Sequence, residues 1–407
     1  MPWRRPKKLE QRSGSPRISP EERLESAAEG EEDRDTVELA TLDGATIVEA
    51  ATGEPEHVAV DTPSLDIDVE RLDGARYITS SANGLPEHGV DLEVDAARGL
   101  RLKNPVLTAS GTFGQGLEYA ELIDVSRLGA IVNKGTTPNA RPGNPQYRIA
   151  ETPAGILNSI GLENPGAAEV ARIYGPKWAK MRVPVIVNVA GYSVDDYVFV
   201  VETLAQTPGV VAFELNISCP NVKGGMLFGF DPILAGDVTR AVRETTDLPI
   251  IVKLTPNAPD VVAVARACEE AGADALTAIN TVLGMRIDVT KRRPVLGTRS
   301  GGLSGPAIRP IAVHITYQVA QAVSIPIIGA GGVTDAHDAL EFLMAGASAV
   351  QVGTATFADP LAPLRVIEGL AAFVKEQRLT SIRDIIGAAL PTLPGEDEHG
   401  AGDVRLQ

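Results

Sequence analysis

Short, continuous runs of apolar residues alternate with amphipathic segments from about residue 91 to residue 390. Runs that are apolar at every position, many of them rich in Val and Ile, are typical of parallel strands covered on both faces. Eight such runs occur, at residues 105–110, 130–135, 184–191, 211–218, 249–254, 275–280, 326–332 and 349–354. The segments between them predict helices, most clearly at residues 260–271, 306–323, 335–345 and 360–376. This alternation predicts an α/β fold with a closed (β/α)8 barrel, or TIM barrel, rather than an open sheet.

The residues on either side of this region differ from it in composition. Residues 1–35 are rich in Arg, Lys, Glu, Ser and Pro, which is typical of disordered segments. We therefore divide the chain into a low-complexity, disordered extension (1–90), the barrel (91–390) and a flexible C-terminal tail (391–407). A partner-docking arm is the alternative interpretation of the extension. Residues 92–102 predict a hairpin that plugs the bottom of the barrel, with Gly99 at its turn.

Composition and charge narrow the class of protein. Hydrophobic residues make up 44% of the chain, enough for a sizeable core. The net charge of −16 argues against a general nucleic-acid or anionic-membrane surface. No apolar run reaches the roughly 20 residues needed to cross a bilayer, and the N-terminal segment lacks the apolar core of a secretion signal. With only two cysteines, these features predict a cytoplasmic protein that binds neither nucleic acid nor membranes.

Polar side chains lie at or near the carboxyl ends of the predicted strands. Five of them are Lys134, Asn188, Asn216, Lys253 and Asn280. In (β/α)8 barrels these ends form the face that carries the active site. Any one of these residues could simply cap the following loop, but five on one rim predict a binding site. Two lysines buried there would need anionic partners to offset their desolvation.

Glycines follow the last two predicted strands. Gly331 and Gly332 end the seventh strand, and Gly353 and Thr354 end the eighth. A third glycine-rich loop contains Gly305 and precedes the sixth helix. Such loops let backbone amides approach a phosphate, and barrels commonly bind phosphate after strands seven and eight. The ligand predicted here is either a phosphosugar or a phosphate-bearing cofactor.

The two cysteines invite different interpretations. Cys219 follows the fourth strand and is flanked by Asn216, Ser218 and Asn221, so a thiolate there could act as a base or a nucleophile. Cys268 lies inside a predicted helix and is interpreted as a buried structural thiol. The five histidines show no metal-ligand spacing, and we predict no metal site.

Five motifs, in this order, resemble those of class 1 dihydroorotate dehydrogenases. They are TASGTFG (108–114), NSIGL (158–162), LNISCPNVK (215–223), KLTPN (253–257) and GGLSGPAI (301–308), and the resemblance covers about residues 91–390. Class 1 enzymes carry a cysteine at the position of the catalytic base, whereas class 2 enzymes carry a serine there. Cys219 at this position therefore resembles class 1. Asn280-Thr281 with Gly284-Met285, and the glycine-rich loop after Cys219, resemble class 1B. Members of class 1B pair with a second subunit that carries FAD and a [2Fe–2S] cluster and passes electrons to NAD+.

The resemblance implies that the chain oxidises (S)-dihydroorotate to orotate in pyrimidine (UMP) biosynthesis. It implies that Cys219 takes the proton from C5 of the substrate while hydride leaves C6 for FMN. It further implies a homodimer core and a heterotetramer with the partner. The substrate contacts that it implies are Lys134, Asn158, Ser159, Ile160, Gly161, Leu162, Asn216, Asn221, Asn280 and Thr281. The FMN contacts that it implies are Ser110, Lys134, Gly135, Asn188, Asn216, Lys253, Ile279, Gly305, Gly331, Gly332, Gly353 and Thr354.

Several alternatives compete with this interpretation. A class 1A-like enzyme would work alone with fumarate, and the loop sequence disfavours it. Another cysteine-dependent FMN barrel, such as a tRNA dihydrouridine synthase, would need a basic RNA-binding surface. A barrel without catalysis, serving as a scaffold, would not require Cys219 and the asparagines, and a phosphosugar-binding barrel leaves the cysteine loop unexplained. Two features depart from the family pattern: the N-terminal extension, and the loop over residues 222–231, which is slightly short.

Overall fold

A closed barrel of eight parallel strands forms the centre of the computed structural model, which describes residues 71–72, 75–77, 89–218 and 228–391. Around the barrel, β1 neighbours β8, and the order continues through β7, β6, β5, β4 and β3 to β2. A parallel bridge between Leu107 and Ala130 joins β1 to the start of β2 and closes the sheet. The predicted (β/α)8 fold is therefore confirmed. The strands are β1 Val106–Thr108, β2 Ile131–Val132, β3 Val185–Val189, β4 Val210–Asn216, β5 Ile250–Lys253, β6 Ala275–Ala278, β7 Ile327–Ala330 and β8 Ala349–Val352.

The barrel strands are buried because helices cover their outer faces and side chains fill the interior. Every residue of β3, β5, β6, β7 and β8 is buried. Burial of apolar surface stabilises a fold by roughly 25 cal/mol per Å², so branched Val and Ile side chains suit both faces of these strands. This explains the continuous apolar runs in the sequence.

Helices follow the strands along the chain and pack around the barrel. The predicted helices at residues 260–271, 306–323, 335–345 and 360–376 are confirmed as α5 (Val261–Glu270), α6 (Arg309–Ala320), α7 (Ala336–Met344) and α9 (Ala362–Glu376). The sixth begins later than predicted, because Pro306–Ile308 form a separate 3-10 turn. Other 3-10 turns are Val125–Arg127, Phe228–Phe230 and Ile382–Ile385. The α-helices are α1 Leu117–Ala120, α2 Ala167–Trp178, α3 Val194–Leu204, α4 Pro232–Arg243, α5 Val261–Glu270, α6 Arg309–Ala320, α7 Ala336–Met344, α8 Ala355–Ala358 and α9 Ala362–Glu376.

The predicted hairpin lies across the amino-terminal end of the barrel. Strands Val94–Ala97 and Leu100–Leu102 pair antiparallel, and Gly99 adopts φ of 74° at the turn, a left-handed conformation that favours glycine. The backbone N–H of Arg98 donates to the carbonyl of Asp274, the residue just before β6, at 3.0 Å. The hairpin therefore contacts the end of the barrel opposite to the carboxyl rim.

Two short strands within residues 1–90 extend this hairpin into a four-stranded sheet. Arg71–Leu72 pairs antiparallel with Ala75–Tyr77, which pairs in parallel with Leu100–Leu102. The division of the chain at residues 90 and 390 otherwise stays a prediction.

A second four-stranded sheet, called the second sheet below, was not predicted from the sequence and contributes residues to the carboxyl end of the barrel. It has four antiparallel strands in the order Val282–Gly284, Gly301–Ser304, Gly155–Asn158 and Ile149–Thr152. Ala150, Leu157 and Leu296 form a small core of their own beneath it. Two strand pairs lie outside the barrel and the two four-stranded sheets: Asn139–Arg141 with Asn164–Gly166, and Ile287–Asp288 with Arg293–Pro294.

Cys268 is fully buried in α5, as predicted. Burial raises the pKa of its thiol to about 12, although a hydrogen bond with Thr239 opposes this effect. The thiol is therefore protonated at neutral pH. Within the described ranges, no helix has both the length and the apolar character needed to cross a membrane.

Candidate active site

A cavity of about 350 Å³ opens at the carboxyl ends of the barrel strands, where the sequence predicted the site. Residues at or just after the carboxyl ends of all eight strands meet there with residues of the second sheet. Eighteen of the predicted site residues line it: Ser110, Lys134, Gly135, Asn158, Ile160, Gly161, Leu162, Asn188, Asn216, Lys253, Ile279, Asn280, Thr281, Gly305, Gly331, Gly332, Gly353 and Thr354. The structure thus brings together residues that are up to 244 positions apart in the sequence, Ser110 and Thr354 being the extremes.

Three predicted residues are not among those lining the cavity. Ser159 is fully buried, and its backbone N–H donates to the carbonyl of Arg148 at 2.8 Å. Its hydroxyl has no hydrogen-bond partner among the described residues. Ser159 therefore supports the NSIGL loop from behind, since its neighbours on both sides line the cavity. Cys219 and Asn221 lie outside the described residues, but Ser218, which directly precedes Cys219, lines the cavity.

Glycines form one end of the cavity, at the loops after β7 and β8. Gly305 and Gly332 adopt φ of 95° and 81°, which side chains other than glycine rarely tolerate. A Cβ on Gly332 would lie 2.8 Å from the carbonyl oxygen of Gly305. Beside Gly305, the hydroxyl of Thr354 donates to that of Ser304 at 2.8 Å. The close approach of three loops leaves backbone amides as the natural contacts for a ligand here.

Amide side chains form a second group near the end of β4. The Nδ2 of Asn280 lies 3.1 Å from Oδ1 of Asn216 and 2.7 Å from the hydroxyl of Ser218. Its own Oδ1 accepts from the N–H of Thr281 at 2.8 Å. Asn257 then holds this loop, because its Nδ2 donates to the carbonyl of Thr281 at 3.1 Å. Each amide offers a donor and an acceptor, which suits a ligand with alternating N–H and C=O groups.

Glu214 of β4 lies beneath the cavity, and the sequence analysis missed it. Its carboxylate has no exposed surface. Oε1 accepts from Nδ2 of Asn188 at 2.7 Å and lies 3.3 Å from Nζ of Lys253. Oε2 accepts from the hydroxyl of Thr277 at 2.8 Å and from the side-chain amide of Gln351.

A sequence signal for Glu214 exists. It is the one charged residue in the apolar run of β4, and it lies two positions before Asn216, which is the same face of a strand. Gln351 interrupts β8 in the same way. Polar residues inside an otherwise apolar strand therefore mark side chains that face the barrel interior.

Lys134 lies at the edge of the cavity and also lines a neighbouring open cleft. Burial lowers the pKa of its ammonium group below the ordinary value, and Arg148 acts in the same direction. The carboxylates of Glu163 and Glu118 oppose this shift. Glu163 in turn pairs with Arg148 at 2.5 Å. The pKa of Lys134 is thus set by burial and by a small set of charged neighbours.

Comparison with known proteins identifies the family. Residues 92–374 match the family model described as dihydroorotate dehydrogenase. Three relatives, all named dihydroorotate dehydrogenase B (NAD(+)), catalytic subunit, come from Geotalea uraniireducens, Desulforamulus reducens and Geobacillus kaustophilus. Their identities are 50%, 52% and 53%, over 74%, 71% and 72% of this chain and 98%, 96% and 94% of theirs. The chain belongs to the dihydroorotate dehydrogenase family, which confirms the predicted membership.

Proposed function

We propose that this chain is a dihydroorotate dehydrogenase catalytic subunit, which oxidises (S)-dihydroorotate to orotate in pyrimidine biosynthesis. The observation that carries this proposal is the identity of at least 50% to relatives of that name over nearly their whole length. The cavity supports it, because it gathers the lysines, amides and glycines expected for a flavin and a pyrimidine.

The residues present fit FMN as the cofactor. The glycine-lined end, where Gly332 and Gly305 leave no room for a Cβ, suits the phosphate. Asn188 offers a buried Oδ1 without a partner among the described residues, which suits an N–H donor of the flavin ring. Lys253, which forms the floor of the cavity together with Asn188 and Gln351, supplies a nearly buried cation there. This cation suits the edge of the flavin ring where negative charge builds on reduction. Bound FMN would supply the hydride acceptor.

The protein residues would hold the substrate and move its proton. Asn158, Asn216 and Asn280 would bind the amide groups of the pyrimidine, and Lys134 would attract the carboxylate. Cys219, which directly follows the cavity-lining Ser218, would take the proton from C5. That proton is only weakly acidic, so the base must be held close and aligned. Asn221 would complete the amide set.

We assign NAD+ as the final electron acceptor, reached through a separate subunit with FAD and a [2Fe–2S] cluster. The word NAD(+) and the term catalytic subunit in the names of the relatives favour this over a stand-alone enzyme that uses fumarate. A homodimer core, a heterotetramer with the partner and a cytoplasmic location belong to the same proposal.

The decisive experiment mixes the purified protein with dihydroorotate under anaerobic conditions and follows the flavin absorbance. Rapid bleaching is expected, and adding NAD+ or fumarate, with and without the partner chain, then identifies the acceptor. A yellow protein that does not bleach would exclude the substrate but keep the flavin. A protein that stays colourless after reconstitution with FMN would overturn the proposal.

A further inference from the structure

Four barrel strands direct a hydrogen-bond donor toward the carboxylate of Glu214. The donors come from Asn188 on β3, Lys253 on β5, Thr277 on β6 and Gln351 on β8. Three of these four residues line the cavity, but Glu214 itself does not. A carboxylate with no exposed surface therefore lies directly behind the cavity floor and contacts three of the polar side chains that line the cavity.

The carboxylate dictates how the neighbouring amides are oriented. An ionised carboxylate can only accept hydrogen bonds, so each neighbour must turn a donor toward it. The Nδ2 of Asn188 is committed in this way, and its Oδ1 is left buried without a partner among the described residues. The Nε2 of Gln351 is committed likewise, and its Oε1 accepts from Nζ of Lys253 at 2.9 Å. The acceptor character of Asn188 toward the cavity follows from the charge of Glu214.

The carboxylate also balances the charge of Lys253. The side chain of Lys253 is 7% exposed, and its Nζ lies 3.3 Å from Oε1 of Glu214. A buried cation that loses its counter-charge remains uncompensated, since little solvent reaches it. The net charge that the cavity floor presents to a ligand is therefore set jointly by both residues.

We propose that Glu214 is a positioning residue that sets the charge and hydrogen-bond polarity of the cavity floor toward the flavin. It does so by holding Lys253 as a neutralised cation and by committing the amide nitrogen of Asn188, which leaves the amide oxygen as the atom that can accept a hydrogen bond. This inference rests on the proposed function, because it assumes that FMN occupies the cavity. Glu214 contacts neither flavin nor substrate in this role.

The test measures the midpoint potential of FMN bound to the full-length Glu214→Gln variant, by equilibration with a reference dye. Glutamine keeps the size of the side chain but removes the charge, so the cation of Lys253 is no longer balanced. Because two-electron reduction adds negative charge to the flavin, we expect the ratio of affinities for reduced over oxidised FMN to rise about tenfold. For a two-electron couple this corresponds to a potential about 30 mV higher. A purely structural role would loosen both forms alike and leave the potential unchanged.

Two further variants show whether the effect is one of charge. Thr277→Val removes a neutral hydrogen bond to the same carboxylate, and we expect the affinity ratio to change less than about twofold. Lys253→Met removes the opposite charge, and we expect the affinity ratio to fall rather than rise. An unchanged or higher ratio in Lys253→Met would overturn the proposal, since the charge of the cavity floor would then not act on the flavin.

The outcomes separate this inference from the proposed function. A yellow Glu214→Gln protein with the wild-type potential overturns the inference alone, whereas a wild-type chain that cannot bind FMN overturns the proposed function. If Glu214→Gln does not fold, Glu214→Asp takes its place, because its shorter side chain draws the carboxylate back from Lys253. We expect a smaller rise in potential for Glu214→Asp, and an unshifted potential would overturn the inference equally.

Discussion

The side-chain amide nitrogen of Asn280 donates a hydrogen bond of 2.7 Å to the hydroxyl oxygen of Ser218. The same nitrogen lies 3.1 Å from Oδ1 of Asn216. Asn280, which follows β6, thus holds the end of β4 and the residues after it in place. Ser218 is the last of these and directly precedes Cys219 in the sequence. If Cys219 is the base, Asn280 has two tasks, since it contacts the substrate and orients the segment that leads to the base.

Replacing Asn280 by Ala should therefore slow flavin reduction by dihydroorotate. The change removes both hydrogen bonds and the acceptor for the N–H of Thr281. We expect a rate about 100-fold lower in anaerobic stopped-flow measurements, because small misplacements of reacting groups have effects of this size. The control Ser218→Ala removes one of these bonds and should lower the rate by about tenfold or less. A wild-type rate for Asn280→Ala would contradict the role.

The sequence predicts the barrel and most of the candidate site because both follow from local patterns. A strand buried on both faces must be apolar throughout, so a polar residue at its end, such as Lys253 or Asn280, is conspicuous. The glycines after β7 and β8 are conspicuous for the same reason. The order of strands in a closed barrel then places all these residues on one rim.

The second sheet was not predicted because its strands carry no local signal. Gly301–Ser304 begins with two glycines, which weaken a strand and are typical of a loop. Its partner Gly155–Asn158 is also glycine-led and distant in the sequence, with Asn158 paired to Gly302. Tertiary packing beneath the sheet, around Leu157 and Leu296, helps to stabilise this pairing. The start of α6 was predicted too early, because Pro306 suits a 3-10 turn as well as an α-helix.

The two cysteines should behave oppositely. We expect Cys219→Ala to retain FMN but to lose nearly all flavin reduction at neutral pH, because no other group replaces the base. Cys268→Ala is the control: its thiol is buried with a pKa of about 12, so the rate should stay at the wild-type level. The free energy of unfolding of that variant should fall by about 1 kcal/mol.

Alkylation offers an independent check on the cysteines. Iodoacetamide at neutral pH, followed by peptide mapping, should label Cys219 and leave Cys268 unmodified in the folded protein, because only thiolates react readily. Near-normal flavin reduction by Cys219→Ala would remove this residue from the mechanism.

Gly332→Ala should weaken FMN binding at the phosphate end of the cavity. The new Cβ would lie 2.8 Å from the carbonyl oxygen of Gly305, so the loop must shift. We expect the dissociation constant of FMN, measured by fluorescence quenching with the apoprotein, to rise about tenfold or more. Gly99→Ala is a matched control, because its φ of 74° imposes similar backbone strain but nothing lies within 4 Å. If both variants lower FMN affinity equally, general destabilisation of the fold rather than the clash at Gly332 is responsible.

Removal of the N-terminal residues should leave catalysis intact. A chain that starts at residue 89 loses the strand Ala75–Tyr77, which pairs with Leu100–Leu102 at the end of the barrel opposite the cavity. We expect orotate formation at the wild-type rate and a melting temperature a few °C lower than that of a chain starting at residue 65. A folded, FMN-bound chain from residue 89 without activity would show instead that the extension contributes to catalysis.

The pH dependence of orotate binding should follow the charge of Lys134. Burial lowers the pKa of this ammonium group, so its positive charge is lost as the pH rises through that lowered pKa, and affinity for the substrate carboxylate should fall in the same range. Glu163 raises the pKa, so Glu163→Gln should move the loss of affinity to lower pH. Arg148 lowers the pKa, so Arg148→Gln should move it to higher pH.

Orotate affinity, measured as a function of pH in the wild-type, Glu163→Gln and Arg148→Gln proteins, checks the direction of both shifts. Glu118→Gln serves as the comparison, because Glu118 acts in the same direction as Glu163 but more weakly, and its shift should be the smaller one. Opposite displacements for the Glu163 and Arg148 variants cannot arise from a general loosening of the loop, which would weaken binding at every pH alike. Parallel displacements in both variants would show that Lys134 does not control the pH dependence.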